Sequence, residues 1–149
     1  MYTLINLYEG IKIMNTLVIF YSYSGKTKKI AEELAVKQSA DLIEIKDIKP
    51  FGKFKAYTSG CLAAMKGKVW AIKPINVDYS KYERIFMLAP IWANNPPPAF
   101  NSILERIPEN KVLVLKMISA SGKSNCKERL ESLIKAKGSI LEGFEDIKA

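Results

Sequence analysis

Histidine is missing altogether from the 149 residues. With it go the commonest protein metal ligand and the commonest general base. Cysteine is scarce: Cys61 and Cys126 form neither a CxxC pair nor a zinc-ligand pattern, which excludes the usual thiol-redox and structural-zinc signatures. Together with the lack of a signal-peptide pattern, they suggest a reducing, cytoplasmic setting. No apolar run reaches the ~18 residues needed to cross a bilayer, so no membrane is expected among the partners. There is no internal repeat and no low-complexity segment. What remains is ordinary globular composition, 48% hydrophobic and 26% charged, in a chain long enough for one sizeable core.

The formal net charge is +8. A basic balance suits nucleic acid, an anionic cofactor, acidic partners or solubility alone. Most lysines lie beside acids on helix faces. No nucleic-acid motif or basic–aromatic stripe is present, so nucleic acid is not expected as a partner. One stretch departs from this pattern: residues 20–35, FYSYSGKTKKIAEELA. Lys26, Lys28 and Lys29 crowd the first turn of a helix, where the helix dipole is positive and each cation opposes it by about 0.3–1 kcal/mol. A broken local rule marks a candidate functional site.

Residues 15–22, NTLVIFYS, read as a buried strand, and residues 26–37 as a helix with Ile30, Ala31, Leu34 and Ala35 on one face. Residues 41–48 alternate as a half-solvated strand should. After a loop with Pro50 and Gly52, Tyr57, Cys61 and Met65 recur at helical spacing up to a stop at Gly67; Gly60 lies inside this helix, and Cys61 is expected on its buried face. Residues 84–92 are a second apolar strand, broken by ANNPPP, and Pro97 or Pro98 opens a helix faced by Phe100, Ile103, Leu104 and Ile107. Residues 111–119 form a fourth strand. Cys126, Leu130, Leu133 and Ile134 stripe a helix that Gly138 ends, and residues 139–147 form a weaker fifth strand containing Gly143. Met14 stands just before the first strand. It reads as a natural start, with residues 1–13 an upstream extension and residues 14–149 one domain.

Strands alternating with helices imply a parallel sheet covered on both faces. Strands one, three and four are apolar throughout, as central strands are, while two and five are mixed, as edges are. The order 2-1-3-4-5 satisfies this, and its ligand crevice lies at the carboxyl ends of strands one and three. In SYSGKT the hydroxyls of Ser22, Ser24 and Thr27, the flexible Gly25 and the open amides of a helix N-terminus suit a phosphate. The lysines then screen an anion. A Walker A loop is excluded, because its first glycine would fall at position 20, which is Phe20.

These residues resemble the flavodoxin family. Ser22, Ser24, Gly25 and Thr27 match its phosphate loop; APIWANNPPP is similar to its proline-rich segment after strand three; and KMISASGKS sits where its third loop touches flavin. The resemblance covers about residues 15 to 145. It implies an α/β, flavodoxin-like three-layer sandwich with a five-stranded parallel sheet. It also implies bound FMN, with Ser22, Tyr23, Ser24, Gly25, Lys26 and Thr27 at the phosphate. Pro90, Ile91, Trp92, Ala93 and Asn94, and opposite them Ser119, Ala120, Ser121, Gly122 and Lys123, would flank the isoalloxazine ring. Trp92, Tyr23 or Tyr57 could offer it an aromatic wall, although Trp92 could equally be packing beneath its loop.

Four departures are expected to matter, one of them that the chain is basic where carrier flavodoxins are usually acidic. Lys26 stands where the family often has asparagine, the third loop has one glycine, and the usual last helix is missing. A homodimer could cover the sheet face that this leaves open. The implied function is an FMN flavoprotein in electron transfer with a redox partner protein, or a small oxidoreductase using NAD(P)H or a quinone. The flavin carries the chemistry, so no catalytic residue and no metal are assigned. The alternative is a binding module that keeps the fold and has lost flavin.

Overall fold

A computed structural model describes residues 15–49 and 51–149. Met14, the extension before it and Pro50 lie outside the described residues. The centre of the fold is β1 (Thr16–Tyr21), whose apolar run is buried from Leu17 onward. It pairs in parallel with β2 (Asp41–Ile45) on one side and β3 (Arg84–Pro90) on the other. Beyond β3 lie β4 (Val112–Ser119) and β5 (Ile140–Lys148), giving the parallel order β2-β1-β3-β4-β5.

The period-two alternation of the strands builds two apolar layers. On one face Leu17, Ile19, Met87 and Leu115 pack under α3 (Pro98–Arg106) and α4 (Lys127–Ala136), which contribute Phe100, Ile103, Leu130 and Ile134. On the other face Val18, Phe20, Phe86 and Leu88 meet Ala31 and Ala35 of α1 (Lys26–Gln38). Each of the large apolar side chains buried here stabilises the fold by about 1.5–3 kcal/mol. Pro97 caps α3 and Pro98 occupies its first position, where the missing N–H costs nothing. Gly143 accommodates a bulge in β5 opposite Val114.

Three elements differ from the sequence reading. β2 ends at Ile45 rather than Ile48, because Lys46 and Asp47 turn away: Asp47 bridges Ile72 in antiparallel fashion, and the Lys73 N–H donates to the Lys46 carbonyl at 2.8 Å. The helix after β2 is α2 (residues 53–65), and a π turn at Ala56–Gly60 interrupts it. Its stripe faces the other way from the one expected. The small residues Ala56, Gly60 and Ala64 turn inward, whereas Tyr57 is 81% exposed, Met65 60%, and Cys61 only partly buried. The reason lies beneath Gly60, where the Trp92 ring leaves no room for a side chain. Leu133, assigned to the buried stripe of α4, is at its margin and 44% exposed.

On the α1 side, β4 and β5 have no covering helix among the described residues. Two cross-strand ion pairs occupy that face: Arg84–Glu142 at 2.9 Å and Lys116–Glu145 at 2.6 Å.

Candidate functional site

The carboxyl ends of β1, β3 and β4 bring three loops to one edge of the sheet. In the first, Gly25 occupies the N-cap of α1 at φ +101°, a conformation that disfavours any side chain. Gly25 supplies no capping oxygen, so Ser22 acts in its place. The Ser22 hydroxyl accepts from the N–H groups of Gly25 and Lys28, both at 3.1 Å. The amides of Lys26 and Thr27 find no protein acceptor among the described residues. The three lysines separate in role. Lys28 reaches toward Glu44 of β2 at 3.7 Å, Lys29 is exposed, and Lys26 lines a cleft at the loop mouth.

The second loop is a tight two-residue turn. Trp92 and Asn95 exchange backbone bonds of 2.7 and 3.1 Å around Ala93 and Asn94, which both have positive φ (+49° and +67°). That is the geometry of a type I′ turn. Asparagine tolerates it, while alanine is strained there by roughly 1–2 kcal/mol. The strain is held from α4, whose Arg129 donates from Nε and Nη2 to the Asn95 side-chain oxygen at 3.2 and 3.1 Å. Asn95 in turn donates to the Ala93 carbonyl at 3.1 Å. Trp92 packs beneath this loop. Its ring stands edge-on to Tyr21, Tyr23 and Phe51, with centroids 6.0, 5.7 and 6.2 Å away.

In the third loop the hydroxyls serve the loop itself. Ser119 accepts from the Gly122 N–H at 3.0 Å, and Ser121 from the Lys123 N–H at 3.2 Å. Of the loop amides expected to face a flavin ring, those of Ala120 and Ser121 are left without a protein acceptor among the described residues. Gly122 has φ +69°, and a Cβ there would lie 2.9 Å from the Lys148 Cβ.

The three loops enclose a cleft of about 200 Å³. Tyr23, Ser24, Lys26 and Thr27 line one wall, Pro90, Ile91 and Trp92 a second, and Ser119 and Ala120 a third. Ser22 and Gly25 fall outside this lining, and Ser22 borders the larger cleft described below instead. Ala93 and Asn94 are exposed at the turn tip, and Ser121, Gly122 and Lys123 fall outside the lining. Tyr57, considered as an aromatic wall, is on the outer face of α2 instead.

Tyr23 also borders a larger cleft of about 660 Å³, shared with Tyr21, Phe51, Lys46, Lys53 and Lys73. Tyr23 stacks on Phe51 at 5.6 Å and donates to its carbonyl at 3.0 Å. In the wall of this larger cleft the Tyr21 hydroxyl donates to Asp47 at 2.5 Å, and burial followed by that bond pushes its pKa far above the ordinary value. Phe51, Asn95 and Arg129 were not singled out by the sequence reading. Nothing in their spacing marks them, since Arg129 meets Asn95 only through the packing of α4 on the sheet. Burial pushes the Cys61 and Cys126 thiols up, away from a reactive thiolate. Among the described residues no cluster of acids or cysteines is placed to hold a metal ion.

The sequence profile of the flavodoxin family matches residues 15–143, and the chain belongs to that family. Its fold is similar to that of a flavoprotein from Lactobacillus acidophilus NCFM solved in complex with FMN. That protein has 23% identity and a TM-score of 0.74, over 89% of this chain and 92% of the other. Oxidised flavodoxin 1 from Bacillus cereus superposes at 15% identity and TM-score 0.50, over 91% and 86% of the two chains. The apo form of an NADH:FMN oxidoreductase does so at 16% and 0.52, over 88% and 75%. No curated protein sequence matches.

Proposed function

We propose that this flavodoxin-family chain binds FMN across the three loops and works as a small FMN-dependent oxidoreductase. The observation that carries this is the pair of open amides, Lys26 and Thr27, at the α1 N-terminus beside the Lys26 side chain and the Ser24 hydroxyl. Open amides, a dipole end and a cation converge where a phosphate dianion would be held. The donor set therefore fits the phosphate of FMN. The apolar lining from Pro90, Ile91 and Trp92 fits one edge of an isoalloxazine ring, with the Ala120 and Ser121 amides opposite.

Bound FMN supplies hydride and electron transfer chemistry. The chain's own residues bind and orient it. Ser22 fixes the loop that presents the amides, Arg129 fixes the turn that carries Trp92, and Trp92 with Tyr21 excludes water beneath the seat. Between a carrier and a reductase, the larger cleft favours the reductase. It borders Tyr23, and in its lining Lys46, Lys53 and Lys73 outnumber Glu44 and Asp47, which suits the phosphates of NAD(P)H. Steady NAD(P)H oxidation by FMN-loaded protein with a quinone acceptor tests this; turnover only with a separate reductase would leave the carrier role with a partner protein.

One observation favours a second reading, a flavin-free binding module: Ser119 and Ser121 already occupy two of the third loop's amides. Loss of flavin on desalting would favour it. For assembly we propose a monomer, because a second copy at the open β4–β5 face would desolvate both ion pairs there. A dimer in light scattering would contradict that. Both cysteines are free thiols, which suits a reducing cytoplasm.

A further inference from the structure

α2 buries its smallest side chains and exposes its largest. Phe54 is 82% exposed, Tyr57 81%, Met65 60% and Leu62 56%, and Val69 just beyond the helix is 44% exposed. Large apolar side chains exposed together along one helix mark a candidate contact site. Its rim is basic. Residues 46–73 carry seven lysines against one acid, Asp47, and so hold six of the chain's eight net positive charges. The Asp47 carboxylate is already engaged by the Tyr21 hydroxyl. Lys53 and Lys55 flank the apolar residues at one end of α2, Lys66 and Lys68 at the other, and all four are exposed.

The occupant must therefore be apolar below and anionic at its surface. We infer that α2 is a membrane-surface docking element, which seats the protein on an anionic bilayer with Phe54 and Tyr57 in the interface and the lysines among the headgroups. A second copy is disfavoured, because it would bring two such basic segments together. A protein partner would have to bring both a shaped groove for these side chains and acids at both ends of α2, whereas an anionic bilayer supplies both without a fixed shape. Here Phe54 and Tyr57 project from a convex helix, and neither lines either of the two clefts described above. Projecting aromatics with long cationic stems beside them suit a fluid interface. No helix among the described residues is long and apolar enough to cross a membrane, so the attachment is peripheral. The inner side of the same helix lies on Trp92 through Gly60, so docking would hold the proposed flavin seat against the bilayer, where apolar acceptors of the quinone class partition.

Vesicle binding needs no bound flavin, so its outcome is separate from that of the proposed redox role. The full chain is sedimented with phosphatidylcholine vesicles, with and without phosphatidylserine. The variants are Phe54→Ser with Tyr57→Ser, which keeps the charge, and Lys53→Gln with Lys55→Gln, which keeps the apolar surface. Circular dichroism of each variant verifies folding. We expect binding to the anionic vesicles, little to phosphatidylcholine alone, and a loss on the order of tenfold in each double variant. Failure to bind anionic vesicles would overturn the inference and leave an acidic protein as the partner. Equal binding by the serine variant would overturn it too, by reducing the effect to net charge. So would a dimer of the unaltered chain in analytical ultracentrifugation that the serine variant dissolves.

Discussion

A Cβ added to Gly60 would lie 2.8 Å from the Trp92 ring carbon Cζ3, so the two residues occupy one packing site between α2 and the loop after β3. Gly60 has ordinary helical dihedrals (φ −67°, ψ −48°), and helix propensity alone would favour alanine there by about 1 kcal/mol. The contact outweighs this. The indole is held edge-on by Tyr21, Tyr23 and Phe51, so making room for a methyl group would disturb those ring contacts. Gly60→Ala should therefore destabilise the fold by about 1–3 kcal/mol through overpacking. Because Trp92 lines the candidate seat, FMN affinity should fall as well. Urea denaturation and a flavin titration measure the two effects; a stabilised variant with unchanged affinity would contradict the packing argument.

Lys26 separates the helix from its ligand. Without an anion it opposes the α1 dipole, so Lys26→Glu should stabilise the flavin-free protein by about 0.3–1 kcal/mol. With a phosphate at the Lys26 and Thr27 amides the sign reverses, and the same variant should bind FMN more weakly. Thermal denaturation with and without FMN reads both. Parallel shifts in the two conditions would mean that no anion sits there.

Arg129 holds the strained turn at a distance from the cleft. Its two bonds to Asn95 are charge-assisted, and losing them should cost about 1.5–3 kcal/mol. In Arg129→Ala, hydrogen exchange should quicken at the Trp92 and Asn95 amides, which face each other across the turn. Exchange that quickens uniformly along α4 instead would assign Arg129 to helix stability alone.

Tyr21 predicts the alkaline limb of stability. Burial, then the bond to Asp47, raises its folded pKa well above its ordinary value of 10.0. A raised pKa favours the neutral phenol in the folded state. The stabilisation is complete below about pH 10, and is lost as pH rises above that toward the folded value. Tyr21→Phe should lower stability at neutral pH, because Asp47 loses its donor, and should flatten the decline above about pH 10. Tyr82, pushed up to about 12 chiefly by its bond to Asp41, would leave a second limb in that variant. An unchanged alkaline slope would contradict the assignment to Tyr21.

The strands were legible because their textures differ. The apolar runs of β1, β3 and β4 point to central positions, which the order 2-1-3-4-5 satisfies, and that order sets the crevice end. The three loops were legible for the same reason, since topology brings strand ends together whatever the loops contain. α2 was misread for a physical reason. Tyr57, Cys61 and Met65 have helical spacing, and large apolar residues normally face the core. Here Trp92, distant in sequence, fills the space under the helix and admits only Ala56, Gly60 and Ala64. Gly60 stands inside the helical pattern, but the reason for it lies in another segment. The third loop shows a similar limit: a run of serines and one glycine does not reveal that the hydroxyls of Ser119 and Ser121 take up the loop's own amides.

The visible absorption spectrum of protein incubated with FMN and then desalted tests the central claim most directly. A flavin spectrum retained at near one equivalent, and diminished in Lys26→Glu, is the predicted result. A colourless protein, or flavin retained equally by both chains, would contradict a phosphate seat at the Lys26 and Thr27 amides.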